Sequence, residues 1–288
     1  MKDIYKILIF FCFFCVSCYN STSSNKNSLP DVSGIAKYIH TYKIGQSVKG
    51  RPLWVTEVGK GHETGLIIIG GIHGNERNTE VLVSGLKGIS IKSSLSLPPY
   101  VRLYFLSAMN PDGLELSTRR NFADVDLNRN FPTGDWKKDV ISPSKIITGA
   151  GGAFPGSEPE VEAFTRWINK VVKNTTQKNH LISYHSAYPP KGSVQPGYHS
   201  YGIPGKKSEE FAKYITSIIN YKYLRTWITD KPITGELIHW CELNGIISVD
   251  IELPYKNIPS STQDPYLKPL LDIHFNMILK LIDSFLTG

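Results

Sequence analysis

The chain has almost no cysteine where a fold could use it. Cys12, Cys15 and Cys18 all fall in the first eighteen residues, which leaves Cys241 alone in the body. No disulfide can therefore form within residues 19–288, and the fold has to rest on its apolar core. Cys241 lies in an apolar stretch and reads as a small buried hydrophobe, not as a nucleophile. The N-terminal apolar run, Ile7–Val16, has ten residues, short of the roughly 20 that a membrane-spanning helix needs. Repeats are missing, and so are dense basic runs interleaved with aromatics. The net charge of +7 and the pI near 9.0 are spread over scattered lysines, which argues against a nucleic-acid partner. What remains is an ordinary globular composition, 41% hydrophobic and 20% charged over 288 residues, enough to bury one large core.

The short apolar run has a use. Lys2 and Lys6 precede it, and Val16-Ser17-Cys18 and a Ser/Asn-rich stretch follow, the layout of an export signal. Residues 1–18 are expected to be that signal, with Cys18 as the lipidated residue of a lipoprotein. Cys15 occupies a position where such signals usually carry an aliphatic residue, so ordinary cleavage and release is the other reading. Residues 19–34 read as a flexible tether, and 35–288 as one catalytic domain. The expected location is exported: anchored to the cell envelope as a lipoprotein, or periplasmic or secreted. Contact with a membrane is expected only through this N-terminal segment, and the body reads as a monomer.

Within the body, strand and helix alternate. Leu53–Val58, Leu66–Ile69 and Val101–Leu106 read as strands, Thr79–Ile89 as a helix, and Asn110-Pro111-Asp112-Gly113 as a turn. A long irregular stretch runs to Gly156. Ser157 is placed to cap a helix whose apolar face is Val161, Phe164, Trp167, Ile168 and Val171. Leu181–Tyr184 is a short strand that delivers His185, and Glu209–Ile219 is helical. Gly245–Glu252 is a strand that puts Asp250 and Glu252 on one face, and Pro269–Leu286 is a closing amphipathic helix. The fold class is α/β: a single domain with a central mixed twisted β-sheet flanked by helices.

Several strand ends carry polar residues, which is where α/β folds place ligands. After Leu66–Ile69 comes Gly70-Gly71-Ile72-His73-Gly74-Asn75-Glu76, which sets an imidazole and a carboxylate three positions apart. That spacing also arises on one face of a surface helix. A metal reading needs a third ligand, and His185 at the end of its own apolar strand offers one.

Five segments in order, Gly-Gly-Ile-His73-Gly-Asn-Glu76, Asn110-Pro-Asp-Gly113, Thr118-Arg119-Arg120-Asn121 continuing to Val125-Asp126-Leu127-Asn128-Arg129-Asn130-Phe131-Pro132, Ser183-Tyr184-His185-Ser186 and Ile251-Glu252-Leu253, resemble the carboxypeptidase A-like zinc metallocarboxypeptidases. Within that family they are similar to the bacterial branch acting on murein peptides. The resemblance implies one zinc ion per chain, held by His73, Glu76 and His185. It implies that Asp126 accepts a hydrogen bond from His73 and fixes its tautomer, and that Glu252 is the general base, with Asp250 the weaker candidate. Arg119 matches the arginine that stabilises the oxyanion, Arg120 beside it being the alternative. Asn128 and Arg129 match the pair that holds the substrate's terminal carboxylate, a task that suits the planar fork of arginine. Ile238 falls at the floor of the specificity pocket.

Two departures are visible. Lys231 stands where digestive members have a mobile tyrosine, and Asn75 replaces their arginine in the first motif. The expected activity is hydrolysis of an amide next to a free carboxylate, in peptidoglycan stem peptides. The alternatives are a general metallocarboxypeptidase acting on ordinary peptides, a deacylase of the aspartoacylase type, and a catalytically dead binding module. Peptides or murein peptides are the expected partners.

Overall fold

The computed structural model describes residues 38–284 apart from 62, 95–96, 143–144, 175–178, 188–190, 227–231 and 255–264. The expected signal 1–18 with Cys18, the tether 19–34 and Lys231 lie outside the described residues. The described residues all fall within one compact unit, 34–288. Its strands are β1 (Ile39–Gln46), β2 (Pro52–Val58), β3 (Thr64–Ile69), β4 (Val101–Leu106), β5 (Val140–Ser142), β6 (Lys145–Ile147), β7 (Asn179–Ser186), β8 (Ser193–Pro196), β9 (Tyr198–Ser200), β10 (Ile203–Pro204), β11 (Lys222–Tyr223) and β12 (Ile247–Leu253). The helices are α1 (Arg77–Lys92), α2 (Pro111–Leu116), α3 (Pro159–Asn174), α4 (Lys206–Ile219), α5 (Leu237–Leu243) and α6 (Leu267–Ser284).

Eight strands form the main sheet in the order β1-β2-β4-β3-β7-β12-β8-β11. The centre, β4-β3-β7-β12, is parallel; β2 pairs antiparallel with β4 and with β1 on one side, and on the other β8 pairs antiparallel with β12 and parallel with β11. The sheet is therefore mixed, as expected. Parallel strands are covered on both faces, so they need apolar residues at successive positions. In β3, Leu66 and Ile68 enter one apolar cluster and Ile67 and Ile69 the other. The first cluster takes Leu82 and Leu86 of α1, Phe211 and Ile215 of α4, and Ile278 and Leu281 of α6. The second takes Val161, Phe164 and Ile168 of α3 with Leu237, Trp240 and Cys241 of α5. Cys241 is a fully buried free thiol within it.

Four local readings are corrected. The Asn110-Pro-Asp-Gly signal opens a short helix instead of a turn: Pro111 fits its first position, and Asn110 Oδ1 accepts from Gly113 N at 2.8 Å. Ser157 does not cap α3; its hydroxyl donates to Glu158 Oε1 at 2.7 Å and accepts from Asn130 Nδ2 at 3.0 Å. Helix α1 begins at Arg77, immediately after Glu76, two residues before the apolar periodicity shows it. The stretch read as irregular before Gly156 contains the β5–β6 hairpin and a single 3-10 turn at Leu127–Arg129. β1, β8, β11 and α5 carry too few residues or too weak an alternation to be found from periodicity.

Candidate metal centre and active site

Alternation decides which way the polar residues point. On β7, Ile182 and Tyr184 belong to the α1/α4/α6 side, so Ser183 and His185 face the opposite side; on β12, Val249 and Ile251 do the same for Asp250 and Glu252. The parallel register sets Ser183 opposite Asp250 and His185 opposite Glu252. The site thus forms at the C-terminal ends of β3, β7 and β12, on the side covered by α3 and α5.

The loop after β3 is built to hold its ligands still. Gly71 adopts φ +63°, a left-handed conformation that favours glycine. Gly74 packs so closely that a Cβ there would lie 1.9 Å from the Gly113 carbonyl carbon. Asn110 clamps the loop: its amide donates to Gly71 O at 2.8 Å and its side chain to Ile72 O at 3.2 Å. Thr79 Oγ1 accepts from Gly71 N and donates to Glu76 O. The second sequence motif therefore serves the first.

His73, Glu76 and His185, all buried, present one ligand atom each within 4.8 Å of one another. His73 Nδ1 lies 3.1 Å from Glu76 Oε1, His185 Nδ1 lies 3.4 Å from Glu76 Oε2, and the two Nδ1 atoms are 3.3 Å apart. Ser186 N also donates to Glu76 Oε2 at 3.2 Å. Two imidazole nitrogens and a carboxylate turned toward one point form a donor set suited to zinc, leaving a fourth position open. The outer ring nitrogens are held as well: His73 Nε2 is 3.1 Å from Asp126 Oδ1, and His185 Nε2 is 3.0 Å from Ser183 Oγ.

Burial works against the charge of Glu76, and the imidazoles of His73 and His185 outweigh it, so its carboxyl is held well below the usual carboxylate range. Asp126 is likewise fully buried, and Arg119 and His73 keep it ionised far below its ordinary value. Burial disfavours protonation of His185, but Asp250 and Glu76 raise it well above the ordinary imidazole value.

Arg119 Nε donates to Asp126 Oδ2 at 2.8 Å and Nη1 lies 3.5 Å from Glu76 Oε1, which puts its guanidinium at the rim of the ligand cluster. Arg120 turns away to Asp124 at 2.6 Å. Glu252 is buried at 8% exposure beside His185, with neighbouring strands about 5 Å apart. Asn128 is buried and its Oδ1 accepts from Leu237 N at 2.9 Å, tying the 127–129 turn to the start of α5. Arg129 Nη1 donates to the Asn128 carbonyl and lies 3.3 Å from Glu236 Oε1. Ile238 is fully buried in the first turn of α5.

One participant, Glu236, escaped the sequence reading, and another, Asp250, named there as the weaker candidate base, stands in a different place. Glu236 is fully buried, accepts from Tyr198 Oη at 2.7 Å and pairs with Arg129; burial raises its pKa, with Arg129 opposing. Asp250 proves to be a neighbour of His185, 3.5 Å from Nε2. Neither shows as a motif, because each depends on a pairing between distant segments.

A family model described as zinc carboxypeptidase matches residues 33–263. Murein peptide amidase A of Escherichia coli K12 is 31% identical over 169 residues, covering 56% of this chain and 63% of the relative, less than two thirds of its length. Murein peptide amidase A of Vibrio campbellii is 25% identical over 243 residues, covering 82% of this chain and 88% of the relative. In fold, the chain is similar to bovine thrombin-activatable fibrinolysis inhibitor solved with tick carboxypeptidase inhibitor, with a TM-score of 0.73 at 20% identity over 99% of this chain and 96% of that one.

Proposed function

The chain belongs to the zinc carboxypeptidase family, and from that premise we propose that it is an exported zinc-dependent exopeptidase cutting an amide next to a free carboxylate in peptidoglycan stem peptides. One observation carries the reading: His73, Glu76 and His185 converge within 4.8 Å while Glu252 stands opposite His185 across β7 and β12. A zinc ion held by the three would polarise a carbonyl and acidify a water. Glu252 takes a proton from the attacking water and returns it to the leaving amine. Arg119, at the rim, stabilises the oxyanion. Arg129, with Asn128, holds the terminal carboxylate, which limits cutting to a chain end. Asp126 keeps His73 in the tautomer that presents Nδ1.

Support for a murein substrate comes from the similarity to murein peptide amidase A and from the export signal expected in residues 1–18. The test is hydrolysis of a murein tripeptide containing γ-glutamyl-diaminopimelate against a benzoyl-capped dipeptide. The tripeptide is expected to be cut at least tenfold faster; preference for the dipeptide by orders of magnitude would make the chain a general carboxypeptidase.

A further inference from the structure

The two ligand histidines have unlike surroundings. Behind His73, Asp126 divides its charge between the imidazole at 3.1 Å and Arg119 at 2.8 Å. Behind His185, the nearest acceptor is the neutral hydroxyl of Ser183 at 3.0 Å, with Asp250 Oδ1 at 3.5 Å. Asp250 is only 1% exposed, and neither of its oxygens has a hydrogen-bond partner among the described residues. Its cross-strand neighbour on β8, Gln195, is 2% exposed and donates no hydrogen bond to it. A carboxylate buried without donors costs several kcal/mol, and among the described residues no lysine or arginine pairs with Asp250.

We propose that Asp250 is a positioning residue of the metal centre, acting through His185: its undivided negative charge behind Nε2 strengthens Nδ1 as a metal ligand and is answered by the cation on the other side of the ring. The inference rests on the zinc reading above and adds to it, because the three ligands alone do not call for this carboxylate. Ser183 supplies the hydrogen bond that orients the ring, and Asp250 supplies the charge. On β12 the two acidic residues thus divide their work: Glu252 at the strand's end faces the reacting groups, and Asp250, one pleat deeper, faces the back of a ligand.

The experiment is a zinc competition titration of the purified full-length chain, stripped and reloaded, for wild type, Asp250→Asn and Gln195→Leu. Asp250→Asn keeps shape and removes charge, and its zinc dissociation constant is expected to rise roughly tenfold to hundredfold. Gln195→Leu, one strand further from the ring, is expected to stay within about threefold of wild type. Circular dichroism of the metal-free proteins checks that the fold persists, and Asp250→Ser replaces the Asn variant should that one not fold. Equal zinc affinity in wild type and a folded Asp250 variant overturns the inference while leaving the zinc centre intact. A wild-type chain that binds no zinc overturns both.

Discussion

Two buried histidines show how differently the two sides of one sheet treat the same side chain. His274 of α6, on the apolar side, is fully buried between Tyr184 Oη at 3.0 Å and Tyr221 Oη at 3.3 Å. Burial pushes its pKa down to about 3, so it is a neutral core group. His185 of β7, on the other side, is as deeply buried, but Asp250 and Glu76 reverse the effect of burial. Depth is the same; neighbours decide. Tyr184 and His185 are consecutive, so a single step along β7 separates a core position from a member of the candidate metal cluster. The fold makes its candidate site by placing Ser183, His185, Asp250 and Glu252 instead of apolar residues on one face of two adjacent strands, leaving the other face to the apolar core.

That contrast can be broken or sharpened by experiment. The largest effect is expected on the polar side, where Glu252→Gln should leave about one zinc bound and lower kcat by up to about 10⁴-fold, or ~5 kcal/mol of barrier. Retained hydrolysis would remove Glu252 from the mechanism. On the apolar side, His274→Phe should leave kcat within about twofold, lower stability by leaving the Tyr184 hydroxyl unpaired, and change the pH dependence of stability. With a native pKa of about 3 against 6.5 unfolded, the unfolded chain binds the extra proton between those values. Wild type therefore loses stability as pH falls through that window, by about 5 kcal/mol when complete. The variant lacks this contribution, and urea midpoints at pH 7 and pH 4 would reveal it as a shallower acid slope.

Glu160 gives a smaller effect of opposite sign. It is fully buried on α3, beside Asn121 Nδ2 at 3.3 Å and Val48 N at 3.3 Å. Burial raises its pKa to about 7. The native state then holds a proton that the unfolded chain releases above 4.5, so stability falls as pH rises from 4.5 to 7, by about 3 kcal/mol. Glu160→Gln should be more stable than wild type at pH 8 and equal to it at pH 4. An identical difference at both pH values would show that Glu160 is ionised in the fold. Smallest is Arg129→Lys, which loses the planar fork and should raise KM roughly tenfold with kcat little changed. A fall in kcat alone would move Arg129 from substrate binding to chemistry.

The sequence reading reached the strands, and the members of the candidate metal cluster, that sit in one short segment. Leu66–Ile69, His73, Glu76 and His185 are readable because a fully buried parallel strand needs a continuous apolar run and the ligand follows directly at its end. The mixed sheet follows from the same alternation of strand and helix. Contacts that need the tertiary register stayed hidden. Arg129 and Glu236 are 107 positions apart, and Asp250 reaches His185 only because β12 lies beside β7 in that register. Asn110 reads as a turn former, since Asn, Pro and Gly serve turns and helix starts equally well; its hold on the loop of His73 shows only once β3 and β4 are side by side. Ser157 had the right spacing for a cap, but Glu158 and Asn130 compete for its hydroxyl.

The central claim is that His73, Glu76 and His185 hold one catalytic zinc, and metal analysis of the purified full-length chain after dialysis against trace zinc tests it most directly. About one zinc per wild-type chain, and almost none on a folded His185→Ala variant, is the result expected. A zinc-free wild type, or a His185→Ala variant that retains the full complement, would contradict it.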